Sequence, residues 1–130
     1  MIYTEGGEFL LLERRRPPRF WQSVTGSMEW GESADAAARR EVIEETGIRL
    51  GVLVNLQWTQ VYEILQVFGK VYAPGVTQNL EHAFSLRLQE RVPVVLSDAE
   101  HVQFRWVSAA DAMETASSST NRAVIAELRL

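Results

Sequence analysis

Residues 26–48 read GSMEWGESADAAARREVIEETGI. Two glycines, Gly26 and Gly31, mark a loop, and a helical pattern follows that carries Glu41, Glu44 and Glu45. Ser33 is a suitable N-cap, Asp35 complements the helix dipole in the first turn, and Gly47 is a C-terminal stop, so the spacing predicts a helix over 34–46. At about 100° per residue, Glu41 and Glu45 sit one above the other with Glu44 beside them, and all three carboxylates crowd one face. Such pairs repel by roughly a few tenths of a kcal/mol each, and a cation between them reverses the sign. A row of glutamates on a helix is ordinarily a solvated face. Ala34, Ala38 and Val42 form a stripe of mostly small residues, predicted to lie close against a sheet while the acidic side faces a cleft.

Outward from this stretch the pattern is strand-like. The run FLLLE at 9–13, bounded by Gly6-Gly7 and by Arg14-Arg15-Arg16-Pro17-Pro18, reads as a buried strand, with Met1-Ile2-Tyr3 as the tail of an earlier hairpin strand. FWQSVT at 20–25 is a short strand entering the glycine loop. Between 50 and 68 the residues are strand-like with a break near 57–60, and Tyr72-Ala73-Pro74-Gly75 signals a turn. EHAFSLRL at 81–88 alternates as a half-buried strand, and 104–107 is a further strand. Ser108 caps a short helix through Met113, and 121–128 forms a terminal helix. Strands with helices between and after them predict a mixed α/β layered domain, single over 1–130.

Composition narrows the partners. The chain has 130 residues, 46% of them hydrophobic, enough for one sizeable core. A net charge of −4 argues against a nucleic-acid-coating protein, so a polyanion would have to be met locally, by a cation or a metal. There are no cysteines, which excludes thiolate zinc sites and cysteine nucleophiles. His82 and His101 read as surface or hydrogen-bonding residues, and neither reads as a metal ligand. No apolar run is long enough to span a membrane and the first residues lack the order of a signal peptide, so a cytoplasmic protein without an obligate protein partner is expected.

Carboxylate oxygens without imidazole or thiolate favour a hard divalent cation, Mg²⁺ or Mn²⁺, which binds partly through substrate phosphates. The implied substrate is a small phosphate ester or anhydride, attacked by a cation-bound water with a further carboxylate as base. Arg40, four residues before Glu44, pairs along the helix and orients the acidic face.

Written as G-x5-E-x7-R-E-U-x-E-E-x-G-U, with U aliphatic, the stretch is satisfied at every fixed position by Gly26, Glu32, Arg40, Glu41, Val42, Glu44, Glu45, Gly47 and Ile48. From average residue usage, a full chance match in such a chain is about one in ten million or rarer. This is the Nudix box, and the chain resembles the Nudix hydrolases. The resemblance implies a Nudix fold, α/β with a mixed sheet sandwiched between helices, and Mg²⁺-dependent cleavage of a diphosphate linkage. It makes Glu41 and Glu45 the primary metal ligands, Glu44 a ligand or base, and Arg40 part of the catalytic group. Replacing Glu45 with Gln is expected to lower kcat at least about a hundredfold with little change in fold stability.

FWQSVTGS at 20–27, YAPGVTQN at 72–79 and SSSTNRAVI at 117–125 resemble one subgroup, the bacterial dihydroneopterin triphosphate pyrophosphatases of folate biosynthesis. That resemblance makes Arg14, Thr25, Tyr62, Glu63, Ile64, Leu65 and Ser118 substrate contacts and Glu100 a third metal ligand. Taken singly, Glu100 is a surface carboxylate, Ser118 a helix cap, and Arg14 one of a solubilising cluster with Arg15, Arg16 and Arg19. The subgroup carries a full first strand preceded by a basic residue. Here the chain begins at or after that strand, which is read as truncated and leaves one substrate contact without a counterpart. Two rivals accompany this reading: a housecleaning enzyme for deoxynucleoside triphosphates such as dATP or 8-oxo-dGTP, and a Nudix module that binds a nucleotide without hydrolysis.

Overall fold

The apolar run at 9–12 forms the middle of strand β2 (Glu8–Arg14), and in the computed structural model of the chain all four of its side chains are buried. Successive side chains of a strand point to opposite faces, so an uninterrupted apolar run requires cover on both. Leu10 and Leu12 pack with Val42, Ile48, Ile2, Leu86 and Leu88 on one face. Phe9 and Leu11 pack with Trp21, Ala112, Ala116 and Ile125 on the other. Burying each of these large side chains contributes about 1.5–3 kcal/mol.

The structure describes residues 1–26, 28–63 and 78–129, without the side chains of 58–63 and 78–81. Around β2 lie β1 (Ile2–Thr4), β3 (Trp21–Gln22), β4 (Val52–Glu63), β5 (Gln78–Leu88) and β6 (His101–Ser108). Among the described residues these make one mixed sheet, with β1 parallel to β5 and every other pair antiparallel. Strand β6 pairs along the whole of β2, so β1 and β3 share the opposite edge, meeting its first and second halves. Helix α1 (Ala34–Thr46) covers one face, while α2 (Ala109–Thr115) and α3 (Ser119–Leu128) cover the other. The helix-sheet-helix arrangement expected from the sequence is present.

Several element boundaries differ from the sequence reading. The break expected near 57–60 is a register shift between Asn55 and Thr59 inside a continuous β4, with Gln57 at φ 54°. The first strand of the glycine-loop approach is shorter than expected, Trp21–Gln22. Strand β6 starts three residues earlier than expected, at His101 rather than Phe104, and so brings His101 into the sheet. The expected turn at Tyr72-Ala73-Pro74-Gly75 lies outside the described residues, as do Ile64 and Leu65. Among the described residues no helix is long and apolar enough to cross a membrane.

Candidate active site

Helix α1 begins and ends as its sequence dictates. The Ser33 hydroxyl accepts from the Ala36 amide at 3.1 Å, and Gly47 takes the left-handed conformation, φ 74°, that a side chain disfavours, while donating to the Ile43 carbonyl at 2.9 Å. The face it buries is not the expected stripe. Ala37, Val42, Glu45 and Thr46 are buried, whereas Ala34 and Ala38 are only half-buried. The glutamates are therefore graded rather than equal: the Glu44 side chain is 56% exposed, Glu41 is 16% exposed, and Glu45 is 1% exposed. Glu45 faces the protein interior, not an open acidic surface.

Arg40 holds this cluster together through more partners than the expected Glu44. Its guanidinium grips Glu32 with two hydrogen bonds, at 2.8 and 2.9 Å, and also reaches Glu41 at 2.7 Å and Glu44 at 3.2 Å. The bidentate pair with Arg40, followed by the Glu29 amide, lowers the Glu32 carboxyl to about 2. Glu32 in turn accepts from the Glu29 amide at 2.9 Å, which closes the 29–32 turn onto the helix. Gly26 has a different reason to be glycine: a Cβ at that position would overlap the side chain of Glu41. The loop thus passes directly over a box carboxylate.

Opposite Glu45 stands the start of β6. Glu13 pairs with Gln103 and Arg14 with His101, so Val102 is an extra residue, a β-bulge. In an unbroken strand residues 101 and 103 would share a face, but here His101 is buried and Gln103 exposed. The bulge turns His101 inward. Its Nε2 lies 3.7 Å from Glu45 Oε1, beyond hydrogen-bond distance, and neither ring nitrogen has a partner among the described residues. The sequence reading of His101 as a surface or hydrogen-bonding residue is therefore corrected. Alternation across 101–103 could not reveal it, because the bulge breaks the period of two.

Glu45, His101 and the exposed Glu100 offer ligand atoms that all lie within 4.8 Å of one another. Burial, and next the nearby carboxylates of Glu41 and Glu100, push the Glu45 carboxyl up to about 10, with the Thr25 amide acting in the opposite direction. Burial, and then the charge of Arg14, hold the His101 ring down to about 4 and so in the neutral form. Glu45 Oε2 also lacks a partner. A buried carboxylate with an unsatisfied oxygen is costly in isolation, and a divalent cation among these donors removes the cost. The donors fit such an ion, with Glu41 one helical turn away from Glu45.

The remaining sequence-derived residues fall at varied distances from this centre. The Thr25 backbone faces Glu45, and its hydroxyl accepts from Gln22 at 3.4 Å. Arg14 lies across the ladder from His101 and donates from Nε to the Arg16 carbonyl at 2.8 Å. Arg15 binds the Asp98 carbonyl at 2.8 Å and, through its amide, the Glu100 carbonyl at 2.8 Å, fixing the turn that carries Glu100. Ser118 caps α3, accepting from the Asn121 amide at 3.3 Å. Asn121 accepts from the Ser23 amide at 2.9 Å, and Ser117 from that of Trp21 at 3.0 Å, so α3 is tied to the strand and loop leading to Thr25. Tyr62 and Glu63 form the end of β4, where they pair with Asn79 and Gln78.

Comparison with known proteins agrees with this arrangement. The NUDIX domain family profile matches residues 1–128. The dihydroneopterin triphosphate diphosphatase of Escherichia coli K12 is 42% identical, with 96% of this chain and 85% of that protein covered. The Haemophilus influenzae protein of the same name is 36% identical, with 96% and 81% covered. The solved structure of the E. coli dihydroneopterin triphosphate pyrophosphohydrolase superposes with a TM-score of 0.90 at 40% identity, covering 98% of this chain and 90% of that one. The NUDIX domain of Shewanella oneidensis NrtR with ADP ribose superposes with a TM-score of 0.73 over 97% of this chain and 80% of that one, and at 14% identity shares the fold alone.

Proposed function

Because the chain belongs to the Nudix family, we propose that it hydrolyses dihydroneopterin triphosphate in the cytoplasm, with Mg²⁺ or Mn²⁺, to dihydroneopterin monophosphate and pyrophosphate. The chain is a Nudix hydrolase. The observation that carries the pterin reading is similarity to dihydroneopterin triphosphate diphosphatases along nearly the whole chain, well beyond residues 26–48.

Glu41, Glu45 and Glu100 hold the cation. When bound, it offsets phosphate charge and lowers the pKa of a water that attacks phosphorus. Arg40 keeps Glu41 in place and restrains Glu44, which is exposed and is the candidate general base. The 25–26 loop closes over Glu41 and Glu45. Arg14 contributes positive charge for the triphosphate beside this centre, and the N-terminus of α3 at Ser118 adds amide donors. By resemblance to the dihydroneopterin triphosphate pyrophosphatases, we assign the choice of heterocycle to the 62–65 segment, Tyr62, Glu63, Ile64 and Leu65, of which 64 and 65 lie outside the described residues.

Comparison of kcat/KM on dihydroneopterin triphosphate with dATP, dGTP and 8-oxo-dGTP tests the substrate. A pterin preference above about tenfold is expected. A preference of that size for a nucleotide would make the chain a housecleaning enzyme instead.

A further inference from the structure

We propose that His101 is an imidazole ligand to the divalent cation held by Glu45 and Glu100, and that it biases the site from Mg²⁺ toward a first-row transition ion such as Mn²⁺. The inference deepens the metal-dependent reading above and rests on it. His101 is 1% exposed, and both ring nitrogens lack partners among the described residues. A buried imidazole is ordinarily hydrogen-bonded, so its isolation calls for a missing partner. The partner is not Glu45 directly, since 3.7 Å is too long for a hydrogen bond. It is the right separation for two donors on one cation, where metal-ligand distances of about 2.1 Å place neighbouring and opposed donor atoms roughly 3 to 4 Å apart.

The fold makes the placement specific. The Val102 bulge turns His101 toward Glu45, whose Oε1 lies 3.7 Å from Nε2 and whose Oε2 also lacks a partner. Glu100 is exposed, and one of its carboxylate oxygens lies within 4.8 Å of a donor atom on each of the other two. An all-carboxylate set suits Mg²⁺ and Mn²⁺ alike, whereas an added imidazole nitrogen favours the transition ion.

The test is electron spin-echo spectroscopy of Mn²⁺ bound to the full chain without substrate. Modulation from a directly bound ¹⁴N is expected, to be replaced by the ¹⁵N pattern when only histidine is ¹⁵N-labelled, and to persist in His82→Asn. In His101→Gln the modulation should vanish and Mn²⁺ should bind about tenfold more weakly, with the Mg²⁺ constant changing far less. Bound Mn²⁺ without nitrogen modulation in the unaltered chain would overturn the assignment, whether or not the variant folds. Modulation with no turnover of the pterin would uphold the ligand and overturn the substrate, while turnover without modulation would do the reverse.

Discussion

At Glu45 the local chemistry and the fold pull in opposite directions. Its carboxyl is buried and held up to about 10 by burial and neighbouring carboxylates, so the metal-free folded state keeps a proton that the unfolded chain releases near 4.5. The folded state then binds more protons than the unfolded one across that window, and stability falls as pH rises through it. His101, held down to about 4 against an ordinary 6.5, acts with the opposite sign between those values and offsets the fall there. Above pH 6.5 the His101 effect is spent and the Glu45 effect continues, lowering stability as pH rises toward about 10. Thermal melts in chelator should therefore show Tm dropping from pH 6.5 to 8.5, a drop that Glu45→Gln flattens and that divalent cation removes in the unaltered chain. The same substitution should lower kcat at least about a hundredfold. The resemblance read from the sequence implies that Glu45 is a ligand but says nothing of an effect on stability, because a motif does not report burial. His101 was missed for a related reason: its chemistry depends on a bulge that no local residue type announces.

Among the elements, α1 was the most legible, since Ser33 and Gly47 mark its ends. Its buried face was not, because alanines at 34, 36, 37 and 38 give no sharp apolar stripe and tertiary packing chose Ala37 over its neighbours. The loop at 26–32 is pinned to α1 chiefly through Arg40. Arg40→Ala leaves Glu32, Glu41 and Glu44 without their shared cation. Expected is a fall in kcat/KM of about ten- to a hundredfold with the helical circular dichroism unchanged, the loss coming from carboxylate placement rather than helix content. Equal activity in the variant would remove Arg40 from its orienting role.

For the whole molecule, the FLLL run anticipated a strand covered on both faces, and the order of helices anticipated the layers. Strand order was beyond sequence reading: the parallel pairing of β1 with β5 and the position of β6 beside β2 depend on contacts between distant segments. The β2–β6 pairing sets His101 beside Arg14, and Glu45 of α1 lies 3.7 Å from His101. Leu12 joins the face under α1, so Leu12→Ala should cost about 2–5 kcal/mol by denaturant unfolding while leaving the ratio of kcat/KM between pterin and nucleotide substrates unchanged. Hydrolysis of dihydroneopterin triphosphate in ¹⁸O water, followed by ³¹P NMR and mass spectrometry, reports most directly which substrate is taken and which bond is broken. Dihydroneopterin monophosphate and pyrophosphate should form in equal amounts, with one ¹⁸O incorporated per turnover. Release of orthophosphate, or turnover of deoxynucleoside triphosphates with the pterin left intact, would contradict the proposed function.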